Sequence, residues 1–510
     1  MKQRHNILKA GWLFLTAVLL VFVASCKSDD DAKVTGLSVT RDGTTIQDLH
    51  FNSSEMTTML GVTTDGEWTA EIPAADTTWL HITPHAGPGW AYTDTAATNR
   101  NAYIKVSVES NREAQRTSQI TLKAGNLSQI VTVTQDGTST DPNDPFESAW
   151  DMVRNLKMGY NLGNTLDSNP EGDWWDPTGK TTKDYETAWK QPVTTQQIID
   201  DIHAQGFNII RVPVTWAPHM DANNNIDATW MARVKEVVDY CLKDGGYCII
   251  NVMHDTGTRS KEKQKLGGWL YADMASYPEQ TVRYQAIWKQ IAETFKDYDE
   301  HLIFESFNEI LDEKSSWSAP APGDDSYEAV NKLQQDFVNV VRATGGNNEY
   351  RNLAITTYSA TGNENTTNHG DPLAELTLPK DVHSNHIYLS IHSYDPYNFC
   401  NNNSGKDANG KEYDYNKNIF DDECMTAIDG VVNRVSKRAN DLNIPFIFGE
   451  FGAIDEAKSM DERVKYATYV STKLHGLHTT GLWWMGLYNR SKNEWYEQRI
   501  VDALKAGFGI

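Results

Sequence analysis

Two rhythms of apolar and polar residues divide the chain. Between residues 34 and 137 apolar positions alternate with polar ones in short runs, at 36–40, 68–72, 102–108, 119–122 and 130–135. Period-two alternation, punctuated by Gly, Asn and Pro, predicts a small all-β, Ig-like sandwich. The polar, proline-containing stretch 138–145 reads as a linker. From residue 146 the rhythm changes to strand, helix, strand, helix. Apolar strand-like runs fall at 158–162, 208–212, 247–252, 302–306, 352–356, 386–392, 445–448 and 481–485. Helical runs at 194–205, 229–242, 326–344 and 421–440 lie between several of them. Short apolar strands with helical crossovers build a parallel sheet. Eight of them predict one α/β domain over 146–510, a (β/α)8 TIM barrel with enlarged loops. The fifth crossover, 358–378, has little helical character and is the weakest unit of the pattern.

The leader is an address. Lys2, Arg4 and Lys9 precede a short apolar run, 11–24, and then small residues and a cysteine. This is the layout of a secretory signal over 1–25, too short for a membrane span. The tetrapeptide Val23-Ala24-Ser25-Cys26 resembles a bacterial lipobox, which implies lipidation of Cys26. Within the acidic tether 26–33, the tail 27–31 (KSDDD) resembles the export signal of surface-displayed lipoproteins. The expected location is therefore the outer membrane, lipid-anchored and facing outward, with the protein a monomer.

Composition narrows the chemistry. The 510 residues carry 46 Lys+Arg against 69 Asp+Glu, net −23, so phosphate backbones are repelled and nucleic acid is not expected as a partner. Sixteen tryptophans exceed what apolar packing ordinarily asks for, and flat indole faces suit stacking on sugar rings. Trp174, Trp175, Trp216, Trp269 and Trp317 lie in expected loops after strands 1 to 4, where each either stacks on sugar or packs. Beyond Cys26 the cysteines are Cys241, Cys248, Cys400 and Cys424. They are either free thiols or partly paired, with Cys400 and Cys424 placed to clip one polar insertion. There is no CxxC and no HExxH, and neither metal nor cofactor is expected.

Active sites of such barrels gather at the C-terminal ends of the strands. Asn-Glu pairs occur at 308, 348, 363 and 493, but only Asn308-Glu309 ends an apolar strand, the fourth. Glu450 ends the seventh in the same way. A carboxylate closing an apolar strand is costly to keep unless it is paired or used. Two of them, on strands 4 and 7, face each other across a barrel mouth.

At this point two resemblances emerge. Trp68, the segment 79–84 (WLHITP) leading into Gly87, and 131–137 (VTVTQDG) make the first region similar to the BACON domain. Trp68 and Trp79 read as core there, Trp90 and Tyr92 as loop aromatics, and a spacer is favoured over a glycan-binding module. The barrel resembles glycoside hydrolase family five, in its bacterial endoglucanase branch. The matching segments are 159–167 (GYNLGNTLD), 186–189 (ETAW), 211–216 (RVPVTW), 251–255 (NVMHD), 307–309 (FNE), 392–394 (HSY), 449–452 (GEFG) and Trp483-Trp484.

That resemblance implies Glu309 as general acid/base and Glu450 as nucleophile of a retaining glycosidase. Arg211 and Tyr394 are then placed to orient Glu450, and Asn308 to meet the sugar 2-hydroxyl. His392 would line the innermost subsite, and Trp484, or adjacent Trp483, would floor it. His254, Trp216 and Asn164 complete the expected substrate contacts. Two departures stand out: Met253 occupies the first position of a usual histidine pair, and Met485-Gly486-Leu487 replaces a usual Asp-Asn. The expected activity is an endo-acting β-1,4-glucanase on plant cell-wall β-glucan polysaccharide. The alternatives are a β-mannanase or xylanase of the same clan, or a silent glycan-binding lipoprotein.

Overall fold

The computed structural model describes residues 34–41, 44–51, 56–87, 102–109, 111, 115–135, 137, 144–170, 174–257, 268–363, 370–401, 418–455 and 458–510. The expected signal, Cys26, the tether, Trp90, Tyr92 and most of the linker lie outside them. Among the described residues no helix is long and apolar enough to cross a membrane.

The first region is all β. Its strands are β1 (Leu37–Arg41), β2 (Thr44–Thr45), β3 (Asp48–Phe51), β4 (Met56–Thr64) and β5 (Trp68–Glu71). They continue as β6 (Leu80–Thr83), β7 (Ala86–Gly87), β8 (Ala102–Val108), β9 (Arg116–Ala124) and β10 (Leu127–Gln135). Two five-stranded sheets result, ordered β2-β1-β4-β8-β6 and β3-β10-β9-β5-β7. Alternation along β9 buries Ser118, Ile120, Leu122 and Ala124 while their neighbours face outward, as a half-buried strand requires. Trp68 and Trp79 are core residues. A side chain at Gly87 would sit 2.6 Å from the Trp68 ring, so the indole's burial depends on that glycine.

The second region closes a barrel of eight parallel strands: β11 (Met158–Asn161), β12 (Phe207–Val212), β13 (Tyr247–Asn251), β14 (Leu302–Glu305), β15 (Leu353–Ile355), β16 (Ile387–Ser393), β17 (Phe446–Phe451) and β18 (Gly481–Trp484). Helices Gln196–Ala204, Ala228–Leu242, Asp325–Ala343 and Asp422–Asp441 form within two residues of the expected spans. Among its described residues, the fifth crossover, 358–378, holds only short helical turns, Tyr358–Ala360 and Pro372–Glu375.

Alternation sorts the strand residues into two cores. Ile209, Ile249, Ile303, Tyr388, Ile447 and Leu482 point into the barrel, where the helix Ala149–Asn155 plugs its lower end with Met152 and Val153. Their neighbours Ile210, Ile250, Phe304, Leu389 and Phe448 face the surrounding helices. One irregularity matters for the site. Ile391 pairs with Phe448 but His392 pairs with Glu450, so Gly449 is an extra residue, a β-bulge. Strict alternation would aim Glu450 outward after inward Ile447; the bulge turns it back to the barrel axis. A side chain at Gly449 would run into Ser390 Oγ, so glycine lets the strand bulge there without displacing that hydroxyl.

Candidate active site

The site is built around Arg211, which the period-two pattern of β12 sends into the barrel below the mouth. Its Nε and Nη2 donate to Glu305 at 2.7 and 3.2 Å, its Nη1 to Glu450 at 2.8 Å and to Asn161 at 3.0 Å, and its Nη2 also to Asn308 Oδ1 at 2.8 Å. Asn161 in turn donates to the carbonyls of Gly449 and Leu482, tying β11 to the bulge. Burial works against the guanidinium, yet Glu305 and Glu450 outweigh it and raise Arg211 above its ordinary range, so it is a permanent cation.

Glu450 is buried. Its Oε1 accepts from Arg211 and its Oε2 from the Tyr394 hydroxyl at 2.8 Å. Burial pushes its carboxyl above the ordinary glutamate range; His392 and Arg211 pull it back without cancelling the effect. Tyr394 is raised far above its ordinary value by burial and by the same carboxylates, so it stays a donor. Glu309 follows β14 and is wetter, its side chain 22% exposed against 6% for Glu450. His392 Nδ1 contacts Glu309 Oε1 at 2.9 Å and lies 3.6 Å from Glu450 Oε2. Burial disfavours its imidazolium, but Glu450 and Glu309 together raise it above the usual histidine value. One oxygen of each glutamate and a nitrogen of His392 lie within 4.8 Å of one another. These three are the one grouping among the described residues with metal-ligand spacing. Arg211, Tyr394 and His392 already answer their charge.

The three residues open into a cleft of about 1130 Å³ at the C-terminal ends of the strands. Asn308, His254, Tyr394 and Trp484 line it, together with Met253, Trp189 and Trp317. With Asn308 Oδ1 held by Arg211, its amide NH2 faces the cleft as a donor. Alternation decides between the two tryptophans: Trp483 turns outward, 2% exposed, onto Phe451 and Tyr466, and Trp484 turns to the cleft. His254 lines the cleft beside Met253, with Trp189 edge-on at 5.2 Å and Asp167 at 3.8 Å.

Two expectations, Trp216 and Asn164, are corrected, and the alternatives left open for the other loop tryptophans and the cysteines are decided. Trp216 is completely buried and gives its indole N–H to Asn251 O, because Asp255 draws the backbone of 216 and 217 down onto its carboxylate. Asn164 does not line the cleft; it takes φ +62° in a turn whose backbone N–H is held by Asp167. Trp269 is occupied by Asp255 and by the Arg283 guanidinium 4.6 Å from its ring, and Trp174 and Trp175 lie off the cleft, leaving Trp317 of the five loop tryptophans on it. All four described cysteines are free thiols; Cys400 Sγ faces Asp395 O and Cys424 Sγ faces Ile419 O. Glu305 and Asn161 were not singled out in the sequence. The signal was present for Glu305: β12 and β14 are apolar runs that each bury one charge, of opposite sign.

A parallel eight-stranded barrel with two glutamates across its C-terminal mouth, one dry and one wetter, has the architecture of the retaining (β/α)8 glycosidases. The model of the cellulase family, glycosyl hydrolase family 5, matches residues 175–488, more than half of the chain. The chain belongs to that family. Residues 67–136 match the BACON domain, described as a putative binding domain. Endoglucanase A of Clostridium longisporum is 34% identical over 375 residues, 71% of this chain; the chain spans 66% of that relative's length. The xyloglucan-specific endo-β-1,4-glucanase BoGH5A of Bacteroides ovatus is 26% identical, covering 97% of this chain and 96% of that one. The crystal structure of a mutant of PbGH5A from Prevotella bryantii, in complex with a xyloglucan tetradecasaccharide, superposes with a TM-score of 0.62. It is 36% identical over 71% of this chain and 99% of that one.

Proposed function

We propose that the protein hydrolyses internal β-1,4-glucosidic bonds of plant cell-wall β-glucans with retention of configuration. In this reading Glu450 attacks the anomeric carbon, and Glu309 protonates the leaving oxygen and later takes a proton from water. The observation that carries it is the carboxyl pair: an oxygen of each lies within 4.8 Å of the other, which matches the short spacing of retaining enzymes, about 5–5.5 Å, rather than the about 6.5–9.5 Å of inverting ones. The environments divide the labour. Arg211 and Tyr394 favour the charged form of Glu450, and Glu309, in contact with His392, stands nearer solvent. The Asn308 amide meets the sugar 2-hydroxyl and Trp484 floors the same subsite. Within the β-glucans we favour branched xyloglucan, supported by the full-length similarity to a xyloglucan-specific relative and by the open cleft with aromatic walls at Trp189 and Trp317.

The test is reducing-sugar release from a panel of xyloglucan, mixed-linkage glucan, soluble cellulose, mannan and xylan. Release from the glucans, fastest from xyloglucan, is expected; release from mannan or xylan alone, or binding with no release, overturns the reading. Anchoring at Cys26 in the outer membrane belongs to the same proposal. It is supported by the charged n-region, the short apolar run and the lipobox-like 23–26. Incorporation of labelled fatty acid that is lost in Cys26→Ala supports it, and incorporation that persists refutes it.

A further inference from the structure

Arg211 has five N–H bonds, and each has a partner: Nε on Glu305, Nη1 on Asn161 and Glu450, Nη2 on Glu305 and Asn308. Two of these partners are carboxylates on different strands, so Glu305, Arg211 and Glu450 together carry one net negative charge. All three side chains are shielded from water, at 1, 0 and 6% exposure. Glu450 lines the cleft and Glu305 does not. Glu305 therefore acts, if at all, through Arg211.

One carboxylate is enough to compensate one guanidinium, and the reaction shows what the second is for. An oxygen of Glu450 forms a bond to the anomeric carbon while the bond to the leaving oxygen breaks. The electron pair departs with that oxygen, which takes the proton of Glu309. Glu450 is now a neutral ester. Glu309, newly ionised, is answered by His392 at 2.9 Å. Arg211 has lost one of its two counter-ions, in a place where an unpartnered cation is costly. Resting on the glycosidase reading, we propose that Glu305 is the positioning residue for the covalent intermediate. It keeps Arg211 compensated and aimed while Glu450 is esterified. Before the reaction it shares the Arg211 charge, so that Glu450 is not held as half of a closed ion pair.

The groups that face Glu450 are Arg211 from β12, Glu309 from the segment after β14, His392 from β16 and Tyr394 just beyond it. Of these groups, removing Glu305 changes only Arg211 directly. It leaves Arg211 acting on Glu450 alone, which stabilises the carboxylate and weakens it as a nucleophile. Time-dependent trapping of the full chain by 2-deoxy-2-fluoro-β-cellobiosyl fluoride reads the glycosylation step, with the labelled residue found by peptide mass spectrometry. Absence of label on Glu450 in the unaltered chain would overturn the glycosidase reading itself, whatever Glu305 does. Given that label, Glu305→Gln should slow trapping by about thirtyfold or more, the ordinary scale for breaking a buried charge pair. The acid limb of kcat/KM on an aryl β-cellobioside should move to lower pH, and cellotetraose affinity should be unchanged. Glu305→Asp, which keeps the charge, should return the limb and part of the rate.

Wild-type trapping and an unmoved limb in Glu305→Gln would overturn the proposal. So would equal slowing in both variants with lost cellotetraose binding, the mark of a merely structural residue. Should Glu305→Gln not fold, Glu305→Asp decides alone: slower trapping at an unmoved limb supports the role, and the wild-type rate refutes it.

Discussion

Arg211 governs the site because it is a cation that cannot be neutralised in a place that water does not reach. Its five hydrogen bonds set where Glu450 and Asn308 point, and its charge sets how readily Glu450 ionises. Glu450→Gln keeps shape and removes the proposed nucleophile. Turnover should fall by about four orders of magnitude or more, with glucan binding retained, and substantial residual hydrolysis would place the nucleophile elsewhere. Tyr394→Phe tests the electrostatics. In the proposed reaction Glu450 must be charged to attack, and a carboxyl raised by burial loses that charge as pH falls through its elevated value. The Tyr394 hydrogen bond favours the charged form, so its loss should move the acid limb of kcat/KM to higher pH. An unmoved limb would show that the hydroxyl is not engaged. Glu309, Glu450 and Arg211 were legible because each interrupts or ends an apolar strand. Glu305 was harder to read, since it lies four residues before Glu309 in the same run and its use depends on a strand about a hundred residues away.

At the scale of single strands, direction is what counts. Alternation in β18 hides Trp483 and gives Trp484 to the cleft, so Trp484→Ala should lower kcat/KM by about tenfold or more while Trp483→Ala costs stability instead. An unchanged kcat/KM in Trp484→Ala would remove it from the subsite. The bulge in β17 is the counter-example to alternation. Gly449→Ala places a methyl against Ser390 Oγ, and overpacking of that kind costs about 1–3 kcal/mol. Thermal denaturation should show the loss, and Ser390→Ala in the same background should restore part of it by emptying the space. No recovery in the double variant would mean that the bulge fails for another reason.

For the whole molecule, two properties follow from the cleft's form. Because it is open rather than a closed pocket, it should admit an internal stretch of chain. Xyloglucan viscosity should then collapse long before reducing ends accumulate; parallel decline of the two would indicate attack from chain ends. Because the carboxyls are close, the first product observed by proton NMR should be the β-anomer, and early α-anomer would reverse the mechanism. The acidic surface of a chain at net −23 plays no part in either expectation.

By itself the sequence determined the layout: a β region, a barrel of eight units, and glutamates at the ends of the fourth and seventh strands. Periodicity and chain position are local properties, and they survive translation into structure almost unchanged. Only the tertiary structure decided which side chains meet. It buried Trp216 under the pull of Asp255, withdrew Asn164 into a turn, left Cys400 and Cys424 as thiols, and brought Glu305 from β14 onto Arg211 from β12. It also decided that Glu450 faces the axis at all, through one extra residue at Gly449. The reason is physical. A side chain's direction is a residue-by-residue sum along its strand, and a single bulge reverses it. Its charge is set by neighbours that closure of the barrel brings into hydrogen-bond contact, from positions tens to hundreds of residues apart.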